Sequence, residues 1–354
     1  MAIDLLAHLK ALCSAPGISG YEGPVRDVIR PVWGPLSGEL HEDPLGTLWA
    51  VRHGSGPEPR PRLMLAAHMD AIGLMVTGRE GEFLRVTQIG GIDARVLPGQ
   101  VVTVHGRRDL PAVVVLPPPF LLPKARRDNV APVTELLIDT GLPAERLGEL
   151  VRTADLVSFA QPPLELLNEH LAAKSLDNRA SVAALSLCLE ALQGRAHAWD
   201  VLAVATVQEE IGLRGARTAA FSLQPELAVA IDVTYGSDAN TREFSYRTLP
   251  LGGGPALGLG PNIHTGLHTA IKLAAERAEI PYSIEAMPDH SGTDAFAMQV
   301  AREGIPTMVV SIPLRSMHTP VEVVSLKDIA RTGRLLAEFI VGLNADFMQT
   351  LTLD

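Results

Sequence analysis

Four short apolar runs set the frame for this chain: Leu63–Ala67, Val201–Ala205, Leu227–Ile231 and Thr307–Ile312. Runs of this length and character read as strands buried on both faces, the habit of a parallel sheet covered by helices. Each is followed by a side chain that binds metals or moves protons. His68 follows the first, Glu209 and Glu210 the second, Asp232 the third and His318 the fourth. In a parallel α/β sheet the carboxyl ends of the strands lie along one edge, and sites form there. Residues spread from position 68 to position 318 would therefore converge. Each has an ordinary explanation when taken alone. The two glutamates, for example, could decorate the first turn of the next helix, where negative charge suits the dipole. Asp177, just ahead of the apolar helix pattern Ala180–Leu192, reads by default as an N-cap. Five such coincidences of residue type and position are harder to explain separately.

The rest of the chain sorts around this frame. Residues 1–62 give two short helix patterns and a strand pair broken by Asp43-Pro-Leu-Gly46. From about 164 onward, strand and helix patterns alternate to a last helix at about 326–343. Between them the character changes. Residues 71–163 hold short Val-, Leu- and Thr-rich runs, at 83–89, 100–105 and 112–116, separated by Gly and Pro clusters. Regular short strands with turn signals suggest a small barrel or sandwich. The fold expected is thus α/β, with a mixed, largely parallel sheet flanked by helices and a small all-β insertion. The α/β domain is discontinuous, 1–70 and 164–354, and the inserted β-barrel-like domain covers 71–163. The Lys124–Asp128 charge run is expected on a solvated surface loop.

Composition excludes several classes. A formal net charge of −10 argues against nucleic acid as a partner. No apolar run approaches the roughly 20 residues that span a bilayer. The N-terminal stretch lacks the basic start and small-residue cleavage site of a signal peptide, so a cytoplasmic protein is expected. Cys13 and Cys188 stand alone in apolar surroundings, which favours buried thiols over a disulfide and leaves no thiolate zinc site.

The chemistry of the set is more specific. Two histidines with three carboxylates suit two divalent ions held by nitrogen and oxygen, with one carboxylate shared between them; zinc, cobalt and manganese accept such ligands. Paired ions can activate a water and polarise a carbonyl together, which leaves one glutamate free to take the proton. His68 and Asp70 alternate along an extended chain, the usual pairing of a ligand histidine with a carboxylate that orients it.

The segments 67–76, 174–179, 207–216, 230–234, 291–294 and 311–322 resemble, in order and across nearly the whole chain, the M42 family of metallo-aminopeptidases. That resemblance implies a fold of the zinc-peptidase type and hydrolysis of N-terminal residues from short peptides. His68 and Asp232 would hold one metal, Glu210 and His318 the other, and Asp177 would bridge them. Glu209 would be the general base acting on the metal-bridging water, and Asp70 would hydrogen-bond the far nitrogen of His68. The resemblance also implies a cis junction at Asp177-Asn178, a dimerisation role for the insertion, and a homo-oligomer, a dimer or a tetrahedral dodecamer. Two positions depart from the family pattern: Ala71 stands where an acid is usual, and 111–123 is atypical. Other readings are a related co-catalytic zinc hydrolase, such as a deacylase or dipeptidase, and a non-catalytic scaffold. A glycosidase needs paired carboxylates without metal-binding histidines. Asp294 and Arg315 are further charged residues near the matching segments, as structural groups or substrate contacts.

Overall fold

A computed structural model describes residues 2–121, 123, 124, 127, 129–237 and 248–353. Helices α1 (Leu5–Ser14) and α2 (Gly23–Trp33) lead into a hairpin of β1 (Glu39–Glu42) and β2 (Leu48–Arg52). The hairpin turns at Asp43, whose carboxylate accepts the Leu45 and Thr47 amides, both at 2.9 Å, the usual way an aspartate closes a turn. Then comes β3 (Arg62–His68). Six strands follow as a unit: β4 (Gly73–Glu80), β5 (Phe83–Ile89), β6 (Val101–His105), β7 (Asp109–Val115), β8 (Leu137–Asp139) and β9 (Leu156–Phe159), with α3 (Ala144–Leu150) before the last. The chain returns through β10 (Leu164–Leu166), β11 (His170–Ala173), α4 (Leu176–Ala191), β12 (Asp200–Thr206), α5 (Arg214–Leu223) and β13 (Leu227–Tyr235). It ends with β14 (Ala256–Leu259), α6 (Thr265–Arg277), β15 (Ser283–Ala286), α7 (Asp294–Gln299), β16 (Thr307–Arg315), β17 (Glu322–Ser325), α8 (Leu326–Gly342) and the short α9 (Phe347–Thr350).

The large sheet runs β1-β2-β12-β3-β13-β16-β17-β11-β10, with β14 pairing both β15 and β16. Its centre, β12-β3-β13-β16, is parallel. The outer strands of this path pair antiparallel, while β14 and β15, off the path, pair in parallel, so the sheet is mixed with a parallel heart. Those central strands are buried almost without interruption, because helices cover both faces. On one face lies α4, whose own residues are buried nearly all round, from Ala180 and Val182 to Cys188 and Leu189. A helix that is apolar on every side belongs inside a layer of others, and here α1 and α8 pack over it. Cys13 and Cys188 are both buried free thiols.

The six strands β4-β5-β8-β7-β6-β9 close into a separate antiparallel barrel. Along β7, buried and exposed residues alternate strictly, as a wall with one apolar interior requires. That interior is filled by Leu74, Val76, Leu84, Val86, Val104 and Ile138 among others. Of the expected surface loop Lys124–Asp128, residues 125, 126 and 128 lie outside the described residues. Among the described residues no helix is long and apolar enough to cross a membrane.

Candidate metal centre and active site

The parallel register determines what meets at the carboxyl edge. Thr206 of β12 lies beside His68 of β3, and Asp232 of β13 beside Ser311 of β16. The segment Gln208–Leu213 continues from β12 as a turn before α5, so Glu209 and Glu210 stand ahead of that helix and not in its first turn. Gln208 and Leu213 both take left-handed backbone, φ 56° at each, and the Gly212 and Leu213 amides fold back to the Glu209 carbonyl at 2.9 and 3.0 Å. Gly215 closes the turn. A Cβ there would lie 2.5 Å from the Val207 nitrogen and 2.6 Å from its oxygen, so only glycine lets helix and strand approach this closely.

Asp70 anchors both glutamates. One carboxylate oxygen accepts the Glu209 amide at 3.0 Å; the other accepts the Glu210 amide at 3.2 Å and the Ser19 hydroxyl at 2.6 Å. The contact between Asp70 and the far nitrogen of His68 is made by the Asp70 backbone carbonyl. His68 Nδ1 lies 3.2 Å from the Asp70 backbone carbonyl and 3.6 Å from the carboxylate. The strand ends at His68, so the chain turns and presents the carbonyl, while the carboxylate is engaged by the amides. Asp70 still orients the ring, since a carbonyl on Nδ1 leaves Nε2 facing the cluster.

Asp177 sits at the middle of that cluster. Its Oδ1 is 3.1 Å from His68 Nε2 and its Oδ2 is 3.3 Å from His318 Nε2. Its expected N-cap role is absent: Ser175 occupies the cap position, and Asp177 and Asn178 have non-helical backbone inside the first turn of α4. Their junction is the cis peptide that the family resemblance implies. Asn178 Nδ2 donates to the Ile231 carbonyl at 2.8 Å, tying this turn to β13 beside Asp232.

The ligand-type side chains fall into two groups whose atoms lie within 4.8 Å of one another: His68, Glu209 and Asp232, and Asp177, Glu210 and His318. Glu209 approaches His68 Nε2 at 3.9 Å, Asp232 approaches it at 3.8 Å, and Glu210 approaches His318 Nε2 at 3.7 Å. All six of these residues line one cavity of about 570 Å³.

Sequence reasoning assigned no role to Glu322. It is buried at the start of β17, and its two oxygens accept the Asp177 amide at 3.0 Å and the His318 amide at 2.9 Å. It thus holds the backbone under two cluster residues. His318 has φ 60°, and this bond keeps it in that left-handed turn. The insertion also reaches the site. A Cβ on Gly91 would come within 3.1 Å of His318 Nδ1. Asp294 and Arg315 do not line the cavity. Asp294 accepts the Thr206 hydroxyl at 2.5 Å beneath the sheet edge, and Arg315 Nε donates to the Ser237 carbonyl at 2.7 Å.

The charges do not balance. Asp70, Asp177, Asp232 and Glu322 are buried, with Glu209 and Glu210 mostly so. Burial, with the neighbouring carboxylates, pushes the Glu209 carboxyl up to about 10 and that of Glu210 up to about 8. Burial also works against the Asp177 anion, but hydrogen bonds from His318 and His68 hold its carboxyl below the ordinary aspartate range. The Asp177 bond raises His318 to about 9. Carboxylates gathered this densely out of water stay ionised together only with positive charge among them. Two groups of one imidazole and two carboxylates, with no thiol, suit a borderline divalent ion in each.

A mixed sheet with a parallel centre, its strands leading into two histidine–carboxylate groups that could hold divalent cations, marks the class as an α/β protein with a candidate metal centre. The model of the M42 glutamyl aminopeptidase family matches residues 46–335, and the chain belongs to that family: it is a peptidase of the aminopeptidase kind. Among curated relatives, a lysyl aminopeptidase of Pyrococcus furiosus is 36% identical over 92% of this chain and 94% of its own length. Among solved structures, a TET aminopeptidase from the marine sediment archaeon Thaumarchaeota archaeon SCGC AB-539-E09 superposes with a TM-score of 0.93 at 29% identity, covering 98% of this chain and 99% of that one. The Pyrococcus horikoshii TET1 peptidase, described as assembling into a tetrahedron or a large octahedral shell, has a TM-score of 0.82 at 30% identity over 96% of this chain and all of that chain (100%).

Proposed function

We propose that the chain is a two-metal aminopeptidase that removes N-terminal residues from short peptides, with Glu209 as its base. The observation that carries this reading is the placement of Asp177, one oxygen toward each histidine at 3.1 and 3.3 Å. A carboxylate so placed is suited to bridge two cations. His68 and Asp232 would hold one, and Glu210 and His318 the other. Zinc, cobalt and manganese all suit the donors. When bound, such ions supply Lewis acidity toward a carbonyl and lower the pKa of water.

The chain's own groups do the rest. Glu209 takes the proton from the attacking water and returns it to the departing amine. Both transfers fall to one group because a carboxylate within reach of the water can hold the proton before passing it on. Asp70 fixes the backbone under Glu209 and Glu210, and its carbonyl sets the His68 ring. Glu322 fixes Asp177 and His318. The barrel is proposed to be a dimerisation domain, and the assembly a homo-oligomer built from dimers, up to a tetrahedral dodecamer.

The test is hydrolysis of a panel of aminoacyl p-nitroanilides by the purified protein, before and after chelation, with Zn²⁺, Co²⁺ or Mn²⁺ restored. Metal-dependent release is expected. Absence of turnover with every substrate and every metal would overturn the reading.

A further inference from the structure

The cavity that holds the metal-ligand cluster contains one carboxylate that belongs to neither group, Glu285. It stands on β15, which pairs in parallel with β14, with Gly258 opposite Glu285. β14 pairs in turn with β16, with Ala256 opposite Ser311. This detour lays Glu285 against the carboxyl half of the central strands. The Thr234 hydroxyl donates to one of its oxygens, and the Ser311 hydroxyl donates to the other at 2.8 Å. Ser311 is the register partner of Asp232, and Thr234 lies two residues beyond Asp232 on the same strand. Glu285 is therefore tethered to the immediate neighbours of a candidate metal ligand without being one itself.

Among the described residues no lysine, arginine or histidine pairs with Glu285. Burial pushes its carboxyl up, and only the two hydroxyls oppose that. Each oxygen keeps a lone pair after accepting its hydroxyl. With two hydroxyl partners and no cationic one, this side chain can accept a cation brought into the cavity it shares with the metal-ligand cluster. The cavity is also lined by Met287, Tyr235, Phe296 and Met317, apolar surface of the kind that covers the methylene stem of a long cationic side chain.

Resting on the aminopeptidase reading, we infer that Glu285 terminates the subsite for the side chain of the substrate's N-terminal residue, and that this subsite selects lysine or arginine. A different role for the same carboxylate would be to bind the α-ammonium group. That group is common to all substrates, so the two roles separate experimentally.

The experiment measures kcat/KM of the metal-loaded enzyme on lysyl, arginyl, leucyl and glutamyl p-nitroanilides, for the wild type, Glu285→Gln and Glu285→Asp. The wild type is expected to favour the basic substrates over leucyl by about tenfold or more. Glu285→Gln should lower lysyl and arginyl turnover roughly 10- to 100-fold, the range by which losing a charge partner weakens recognition, and leave leucyl within about threefold. Glu285→Asp keeps the charge and should restore part of the basic preference. A wild type that cleaves leucyl as well as lysyl substrate overturns the subsite and leaves the aminopeptidase reading standing. An equal fall for all substrates in Glu285→Gln also overturns it, in favour of α-ammonium binding. No turnover of any substrate overturns both.

Discussion

The open sheet and the barrel are built from strands of similar length, yet they treat polar side chains in opposite ways. In the sheet, β3, β12, β13 and β16 are buried on both faces and run in one direction. Water reaches them mainly at their ends, so polar groups accumulate at one edge, and parallel pairing brings those ends together. In the barrel, the antiparallel strands turn one face to a closed interior and the other outward, most regularly along β7. Polar groups disperse over its outer wall, and the closed interior is left to Leu, Val and Ile. Concentrated chemistry thus follows from parallel, doubly covered strands. The barrel contributes to the cluster through a turn, Gly90-Gly91, and not through a strand.

The largest effect that tests this division is at the edge. Glu209→Gln should retain the bound metals and lose roughly 10²- to 10⁴-fold in kcat, the usual worth of a positioned base. Near-normal kcat would remove Glu209 from the chemistry. In the barrel the effect should move to stability. Leu84 is fully buried there, and Leu84→Ala should cost about 2–5 kcal/mol in denaturant unfolding, with kcat per folded molecule unchanged within about twofold. A large fall in kcat would show that the barrel interior is coupled to the site.

Glu322→Gln comes next. An amide NH₂ would then face one of the two backbone N–H donors, and metal retention after dialysis, read by elemental analysis, should weaken about 10- to 100-fold. Full retention would leave Glu322 a purely structural pin. The smallest effect expected is at the seam between the regions. Gly91→Ala should crowd His318 by a few tenths of an ångström and lower kcat/KM by roughly fivefold, about 1 kcal/mol. No change would mean that the barrel turn touches the site without constraining it.

The candidate site was legible in the sequence where a ligand-type residue follows an apolar run: His68 and Asp232 directly, and Glu209, Glu210 and His318 a few residues on. Groups that act through tertiary pairing were not legible. Glu322 opens a four-residue strand whose partners, the amides of Asp177 and His318, are set only by the fold. Glu285 sits on an edge strand, and its place depends on the β15–β14–β16 pairing, which no local pattern encodes. Asp70 shows a subtler limit. Its spacing from His68 points to the right pair, but which of its oxygens faces the ring depends on where the amides of 209 and 210 come to rest. The cap reading of Asp177 failed because a three-dimensional demand, two histidines on one carboxylate, overrode the local preference of an aspartate before a helix. In the fold, the parallel centre followed from its uniform apolar runs, whereas the antiparallel margins, which are short and mixed, carry no such signature.

The two hydrogen bonds that consecutive amides donate to Asp70 have a consequence for how this chain can vary. Successive residues of an extended or turning backbone project to different sides, so holding 209 and 210 by their nitrogens sends one carboxylate toward His68 and the next toward His318. The assignment is counted in residues from the end of β12. Substitution at Ile211, outside the Asp70 contacts, leaves that count intact, but inserting or deleting one residue between Val207 and Glu210 would exchange the two carboxylates or turn both away. The segment should therefore admit changes of letter and refuse changes of length, as a reading frame does.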